Sequence, residues 1–165
     1  MFYPGLDEVK KLARDYNVIP ILMEAYADME TPISVFKRFE GSRYCFLLES
    51  IEGGEKWARY SFIGKNPFMV FKSLNGKNII EYGDGRTVEA EGSPIEALRS
   101  VLDKYRGADV KGVPRFNGGA VGFFGYDLIR YYEHLPDIPQ DDLELPDSHF
   151  MVTDEVIVFD HLEQK

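Results

Sequence analysis

The sequence predicts an α+β fold of mostly antiparallel β-sheet, with a meander at about residues 43–90 and three to four packed helices. Short apolar and aromatic runs crowd into this stretch, as is typical of strands. The turns between the later runs contain Asn75-Gly76 and Asp84-Gly85. These pairs are the strongest short signals for a hairpin, because a type I′ turn needs positive φ at both central positions. Apolar residues at helical spacing flank the meander, which predicts helices before and after the sheet.

Length and composition limit the class of protein. The chain has 165 residues, 44% apolar and 28% charged, which suits a single globular domain over 1–165. Its net charge is −9 and it has no basic cluster, which argues against a nucleic-acid partner or an anionic membrane. Cys45 is the only cysteine, so no internal disulfide can form and a cytoplasmic location is expected. No apolar run reaches the roughly 18 residues of a membrane span, and the N-terminus lacks a signal-peptide pattern.

The N-terminal part predicts two helices separated by a short strand. Residues 6–16 have apolar side chains at helical spacing and two acidic residues in the first turn, where the helix dipole favours them. Residues 18–23 form a β-like run, and Pro20 within it indicates an edge strand. Thr31 is then the predicted N-cap of a second helix, with Pro32 at its first position.

Turn and capping signals define the middle of the chain. The predicted strands of the meander are 43–48, 59–63, 68–73, 78–82 and 87–90. Ser93 and Glu96 form a capping box around Pro94, which predicts a helix over 94–105.

The C-terminal third predicts two further strands and a short helix. Residues 118–126 form a glycine-rich aromatic strand, after which Asp127 is expected to cap a helix ending near residue 134. Residues 137–146 are acidic and punctuated by proline, so we expect an exposed connector. The last strand, 156–159, has little sequence after it to supply a partner, which suggests a truncated unit.

We find no catalytic or metal-binding pattern in the sequence. The glycines of 118–125 lie within a strand and lack the Gly-Lys-Ser/Thr ending of a phosphate loop. They indicate close backbone approach or a bulge instead. His134, His149 and His161 are far apart and have no ligand neighbours at short spacing, which predicts no metal site. We therefore expect neither catalytic residues nor a cofactor in this chain.

Four polar residues near the start of the meander admit two interpretations. Glu49 and Ser50 directly follow an apolar run, and Lys56 and Arg59 lie across a short loop. In the first interpretation, Glu49 forms an ion pair with Lys56 or Arg59 at the mouth of a hairpin, and such an exposed pair stabilises the fold by about 0–1 kcal/mol. In the second, the four residues line a pocket for a small zwitterion. In that pocket Glu49 accepts from an ammonium group, Lys56 faces a carboxylate and Ser50 adds a neutral hydrogen bond. Residue chemistry alone favours the ion pair.

Several segments resemble one family. LLES at 47–50 and RYSFIG at 59–64 are similar to the N-terminal region of anthranilate synthase component I, the large chorismate-using subunit of tryptophan biosynthesis. TPISVF at 31–36 and GGAVGFFGYD at 118–127 are also similar to segments of that family. The last segment is shared with the related aminodeoxychorismate synthase. The resemblance covers nearly the whole chain.

The resemblance implies a feedback site for L-tryptophan in which Leu48, Glu49, Ser50 and Lys56 are pocket residues. It reverses the preference for an ion pair, because the carboxylate and the nearby cation would serve the two charges of an amino acid. It also implies that this chain is an N-terminal regulatory and scaffold portion, inactive alone, of an enzyme whose C-terminal chorismate-binding domain is absent here.

By the same resemblance, the full-length enzyme converts chorismate and glutamine-derived ammonia to anthranilate and pyruvate. Mg²⁺ is its expected cofactor, and a glutamine amidotransferase subunit its expected partner. Two alternatives stay open: the N-terminal part of aminodeoxychorismate synthase component I, on the folate path, and a stand-alone amino-acid-binding or interaction module. The product formed by the full-length enzyme distinguishes the first alternative from anthranilate synthase. Continuation of the open reading frame past Lys165 into a catalytic domain would argue against the second.

Overall fold

The structure is a computed structural model that describes residues 2–49, 59–136 and 141–165. Contacts within the chain divide it into two compact units. The first unit comprises Met1–Asn66, Lys104–Gly118 and Asp154–Lys165, and the second comprises Pro67–Asp103 and Gly119–Thr153. The prediction of one domain over the whole length stays a prediction.

Short strands and helices make up both units. In chain order, the strands are β1 Phe2–Tyr3, β2 Leu22–Met23, β3 Cys45–Leu48, β4 Tyr60–Lys65, β5 Met69–Leu74, β6 Lys77–Tyr82, β7 Thr87–Ala90, β8 Gly119–Phe124, β9 Ser148–Thr153 and β10 Val156–Asp160. The helices are α1 Leu6–Leu12, α2 Pro32–Lys37, α3 Pro94–Leu102 and a 3₁₀ helix at Tyr126–Tyr131. The ladders between these strands are antiparallel, which confirms the predicted α+β fold.

The first unit is organised around β4, which lies between β3 and β10 in a three-stranded sheet. The β10 ladder runs from Val156 opposite Gly64 to Asp160 opposite Tyr60. The prediction that the last strand lacks a partner is therefore wrong. Its partner lies much earlier in the chain, at a separation over which no local sequence pattern indicates pairing.

Aromatic side chains pack on one face of this sheet. The Phe46 ring lies directly over Gly64, where an added Cβ would be 2.3 Å from Phe46 Cε1. Phe62 meets Phe116 edge to face, with ring centroids 5.4 Å apart, a favourable aromatic geometry. On the opposite face Ile63 is fully buried. The glycine of the RYSFIG segment is thus explained by the ring that covers it.

The second unit contains a five-stranded sheet in the order β7-β6-β5-β9-β8. Helix α3 packs on one face and buries an apolar core between helix and sheet. The core residues are Met69, Phe71, Ile80, Ala97, Leu98, Val101 and Val152. Burial of this apolar surface is the main stabilising term for the unit.

The predicted meander is antiparallel, but it is divided between two sheets. Strands β3 and β4 belong to the first unit, and β5, β6 and β7 belong to the second. The break falls at Asn66-Pro67, where Asn66 has a φ of 48° and Pro67 has no N–H to donate to a ladder. Strands β10 and β9 take the places beside β4 and β5.

Both predicted hairpins of the second unit are present. Asn75 and Gly76 have φ of 52° and 77° between β5 and β6, as a type I′ turn requires. The β6–β7 loop is longer, and there the Asp84 carboxylate accepts from the Arg86 backbone N–H at 3.0 Å while Gly85 has positive φ. Turn chemistry therefore predicted where the chain reverses, and it matched the turn type at one of the two sites.

Capping signals in the sequence correctly predicted where α2 and α3 begin. Thr31 Oγ1 accepts from the Ser34 N–H at 3.0 Å, and Ser34 Oγ accepts from the Thr31 N–H at 2.9 Å. At α3 the Ser93 N–H donates to Glu96 Oε2 at 3.1 Å, and this helix ends at Leu102. The capping predictions at both helices are confirmed.

Other helix and strand predictions need correction. Helix α1 ends at Leu12, because the backbone of the next residues forms tighter turns. The 18–23 run is a strand only at Leu22–Met23, which pairs with β1. Gly125 precedes the 3₁₀ helix, so the predicted N-cap at Asp127 is wrong; this carboxylate accepts from Arg130 Nε at 3.0 Å instead.

Two further predictions concern the acidic connector at 137–146 and membrane spans. Residues 141–145 are exposed, as expected for a connector, and 137–140 lie outside the described residues. Among the helices that the structure describes, none is both long and apolar enough to cross a membrane.

Candidate functional site

One end of the first unit's sheet collects polar side chains. Strands β3 and β10 both run antiparallel to β4, so both end where β4 begins. Residues just beyond the ends of β3 and β10 are therefore brought next to the first residues of β4. We call this region the polar sheet end; it carries Glu49, Arg59, Ser61, Asp160 and His161.

The predicted site residues fall at this end or outside the described part of the chain. Leu48 is the last residue of β3 and is 42% exposed. Glu49 follows it and is also exposed. Ser50 and Lys56 lie outside the described residues. The structure thus gives positions for two of the four predicted tryptophan-site residues.

A buried hydroxyl connects Glu49 with a histidine. Ser61 is 2% exposed, and its Oγ lies 2.7 Å from His161 Nε2 and 3.5 Å from Glu49 Oε1. The His161 backbone N–H donates to the Arg59 carbonyl at 2.8 Å, which fixes the histidine beside the start of β4. Glu49, Ser61 and His161 therefore form a short polar chain that crosses all three strands.

Arg59 does not pair with Glu49. Its Nε donates to both carboxylate oxygens of Asp160 at 3.0 Å, and its Nη2 contacts Glu163 Oε1 at 3.0 Å. The hairpin-mouth pair of Glu49 with Arg59 is thus wrong, because the end of β10 brings a carboxylate closer. The alternative pair with Lys56 involves a residue outside the described ranges.

This ion pair changes the pKa values of its members. Hydrogen bonds from Arg59 lower the pKa of Asp160, and backbone N–H groups of Glu163 and Leu162 add to this effect. The hydrogen bond to Asp160 raises the pKa of Arg59 in turn. Asp160 is 9% exposed, so a nearly buried carboxylate is held ionised by an arginine at the sheet end.

A second cation near this end is also paired. Lys165 Nζ lies 2.6 Å from Glu24 and 2.7 Å from Glu163, and its hydrogen bond to Glu163 is the main cause of its raised pKa. Arg59 and Lys165 line a cavity of about 450 Å³ together with apolar residues of β10. Both cations are thus neutralised, whereas Glu49 has no ion pair among the described residues.

The remaining candidates from the sequence do not form a second site. Cys45 is half-buried at the start of β3. In β8, a Cβ on Gly122 would lie 2.0 Å from the His149 carbonyl oxygen, which confirms close backbone approach as the reason for a glycine. Within 2–49, 59–136 and 141–165, no three His, Cys, Asp or Glu side chains are grouped to hold a metal ion.

Sequence reasoning missed Ser61, Asp160 and His161. Ser61 lies inside the RYSFIG segment, but nothing in a strand sequence shows which neighbour its hydroxyl meets. Asp160 and His161 follow a clear strand, so the pairing of β10 with β4 was the missing information. A sequence-level signal exists only in the apolar run that ends on these two polar residues.

Comparison with known proteins identifies the family. The sequence profile of the chorismate binding enzymes matches residues 43–165. The chain belongs to the chorismate binding enzyme family. Among curated relatives of this family member, anthranilate synthase component 1 of Acetivibrio thermocellus is 64% identical over 165 residues, covering 100% of this chain and 33% of the relative. Anthranilate synthase component 1 of Pseudomonas putida is 42% identical over 154 residues, covering 91% of this chain and 31% of the relative.

Comparison with solved structures finds the same kind of protein as the comparison of sequences. The crystal structure of anthranilate synthase component I from Streptococcus pneumoniae TIGR4 matches with a TM-score of 0.54 and 32% sequence identity. The match covers 87% of this chain and 30% of that one. The chain therefore spans about a third of the length of the relatives it matches.

Proposed function

We propose that this chain is part of an anthranilate synthase component 1, which converts chorismate and glutamine-derived ammonia to anthranilate and pyruvate. The observation that carries the proposal is 64% identity to a component 1 protein across all 165 residues. Sequence identity at this level over a whole chain goes far beyond a shared fold, which alone would not imply a shared reaction.

We propose that the catalytic residues lie in the part of the relatives that this chain does not span. The described residues offer no group of carboxylates that fits Mg²⁺, so no metal-dependent step is assigned to this chain. A component 1 protein implies a component 2 partner, and we propose a glutamine amidotransferase subunit that supplies ammonia. Cytoplasmic location is part of the same proposal.

We further propose that Leu48, Glu49, Ser50 and Lys56 contribute to a feedback site for L-tryptophan. The Glu49 carboxylate would accept hydrogen bonds from the ligand ammonium, and Lys56 would face the ligand carboxylate. Two observations support this assignment. Glu49 is exposed and has no ion pair among the described residues, and the neighbouring cation Arg59 is already held by Asp160.

The test uses the full-length protein and the fluorescence of anthranilate formed from chorismate, ammonium and Mg²⁺. Replacing Glu49 by Gln removes the charge that pairs with the ligand ammonium. We expect the tryptophan concentration that halves the rate to rise about tenfold to a hundredfold, the usual effect of losing a charge-assisted hydrogen bond.

The matched control is Glu89→Gln, because Glu89 is exposed on β7 in the other unit. This variant should keep the wild-type rate and tryptophan sensitivity. A Glu49→Gln protein as sensitive as wild type would contradict the feedback-site assignment. A product other than anthranilate, such as aminodeoxychorismate, would contradict the proposed reaction.

A further inference from the structure

The Ser61 hydroxyl has one hydrogen and two neighbours that can accept it. His161 Nε2 lies at 2.7 Å, the usual distance of a hydrogen bond from a hydroxyl, whereas Glu49 Oε1 lies at 3.5 Å. The shorter distance makes His161 Nε2 the better acceptor of this hydrogen whenever that nitrogen carries no hydrogen of its own. Because Ser61 is 2% exposed, water does not compete for this hydroxyl.

The direction of this hydrogen bond depends on the charge of the imidazole. Neutral histidine has one nitrogen that accepts. When that nitrogen is Nε2, it accepts from Ser61 and the imidazole hydrogen is on Nδ1. Protonated histidine carries hydrogens on both nitrogens, so Nε2 must donate to the Ser61 oxygen. The Ser61 hydrogen is then free to point to the Glu49 carboxylate.

We propose that Ser61 and His161 are positioning residues for Glu49, and that an amino-acid ammonium binds Glu49 more tightly when His161 is neutral than when it is protonated. With neutral His161, no hydrogen bond from the described residues occupies the Glu49 carboxylate, which then accepts from the ligand. With protonated His161, Ser61 occupies one of these positions. The ligand part of this inference rests on the proposed tryptophan site, whereas the hydrogen-bond part does not.

Electrostatics acts in the same direction. His161 Nε2 and Glu49 Oε1 lie 2.7 and 3.5 Å from the same Ser61 hydroxyl oxygen, so the imidazolium charge would lie close to the carboxylate. A positive charge at this separation reduces the attraction of the carboxylate for a ligand cation. Both effects weaken binding of the ammonium as His161 becomes protonated.

The other charged groups at this end keep their charges over the range in which histidine ordinarily titrates. Arg59 and Asp160 hold each other ionised, with a raised and a lowered pKa respectively, each caused first by their hydrogen bond. The hydrogen bond with Lys165 lowers the pKa of Glu163 and raises that of Lys165. Glu24 pairs with Lys165 on the far side. Between pH 5 and 8 histidine is the side chain type whose charge ordinarily changes.

The binding test measures L-tryptophan affinity of the full-length protein by calorimetry from pH 8 to pH 5.5. Wild-type affinity should fall about threefold to tenfold over this range, a modest effect because solvent screens charges at an exposed site. His161→Gln removes the ionisable group, so its affinity should change by less than about twofold over this range, whereas Ser61→Ala removes only the hydrogen-bond effect and should show a smaller fall than wild type. His134→Gln, an exposed histidine of the second unit, is the matched control and should keep the wild-type pH profile.

A second measurement reads the hydrogen bond without a ligand. In ¹⁵N-histidine-labelled full-length protein at pH 8, the His161 resonances, assigned by their loss in His161→Gln, should show the hydrogen on Nδ1 and a bare Nε2. Ser61→Ala should shift the Nε2 resonance. A hydrogen on Nε2 at pH 8 would overturn the inference, as would a pH-independent wild-type affinity or a His161→Gln profile like wild type. Absence of tryptophan binding in all proteins would instead contradict the proposed function.

Discussion

In the second unit the sheet and α3 enclose an apolar core, whereas the sheet of the first unit ends in a network of charges. Both units bury hydroxyl groups, Ser73 and Ser148 in the second and Ser61 in the first. Among the described residues, however, the buried carboxylate is Asp160 of the first unit. Both units bury apolar contact area, and the first unit adds an oriented, nearly buried charge.

This difference separates stability from recognition. Apolar burial stabilises about equally at any pH, because no group in the core titrates. A buried carboxylate costs desolvation energy unless an arginine and backbone N–H groups surround it, as they do around Asp160. In the first unit these groups offset the desolvation energy of Asp160 at the polar sheet end, where the proposed ligand site lies.

The largest expected effect tests whether the second unit depends on its core. Phe71 is fully buried between the sheet and α3. Phe71→Ala should lower the free energy of unfolding by about 3–5 kcal/mol, the usual cost of removing a buried phenylalanine ring. Urea unfolding measures this loss.

Phe123→Ala is the matched control, because Phe123 belongs to the same sheet and is 45% exposed. It should cost less than about 1 kcal/mol, since little burial is lost. Equal effects of the two substitutions would break the comparison, because the apolar face under α3 would then not be the main source of stability in this unit.

Two glycines sharpen the comparison between the units. A Cβ at Gly122 in the second unit would meet the backbone of β9, with the His149 carbonyl oxygen 2.0 Å away. At Gly64 in the first unit, the three atoms nearest to an added Cβ all belong to the Phe46 ring. A ring can rotate aside, but a strand paired on both sides cannot shift without breaking ladders.

We therefore expect Gly64→Ala to cost about 1–3 kcal/mol and Gly122→Ala to cost more, above about 3 kcal/mol. Urea unfolding of the two variants measures the difference. If Gly64→Ala proved the more damaging change, the Phe46 ring would be held more rigidly than the backbone of β9, and the first unit would be the more tightly packed of the two.

Local chemistry explains which parts of the fold the sequence predicted. The Asn75-Gly76 turn and the capping box of Ser93 with Glu96 each depend on residues at most three positions apart. Their physical causes, positive φ and unsatisfied N–H groups, are therefore visible in a short window. The pairing of β10 with β4 joins residues 92 to 100 positions apart, from Val156 opposite Gly64 to Asp160 opposite Tyr60, which no short window contains.

The same distinction applies to the site. Leu48 and Glu49 were found because an apolar run ends abruptly on a carboxylate and because LLES resembles a known family. Ser61 and His161 were missed because their meeting requires the β10 pairing. The interpretation that offered Glu49 as a partner for Arg59 fails for the same reason: Glu49 is nearer in sequence, but the structure pairs Arg59 with Asp160.

The smallest expected effect in stability concerns Asp160, and it has a distinct pH dependence. Asp160→Asn keeps an oxygen for the N–H groups of Leu162 and Glu163 but removes the charge that holds Arg59. We expect a loss of about 1–2 kcal/mol at pH 7. Because the pKa of Asp160 is lowered in the folded state, its stabilisation is fully present above the ordinary aspartate pKa of about 4 and is lost as pH falls through the lowered value.

The free energies of unfolding of wild type and Asp160→Asn should therefore differ most near neutral pH and converge in acid. The exposed Asp142→Asn variant is the matched control and should follow wild type at each pH. A difference between Asp160→Asn and wild type that persists unchanged below pH 3 would mean that the side chain acts through packing and hydrogen bonds, not charge. The charge of Asp160 would then not stabilise the first unit, and the contrast between its polar sheet end and the apolar core of the second unit would not hold.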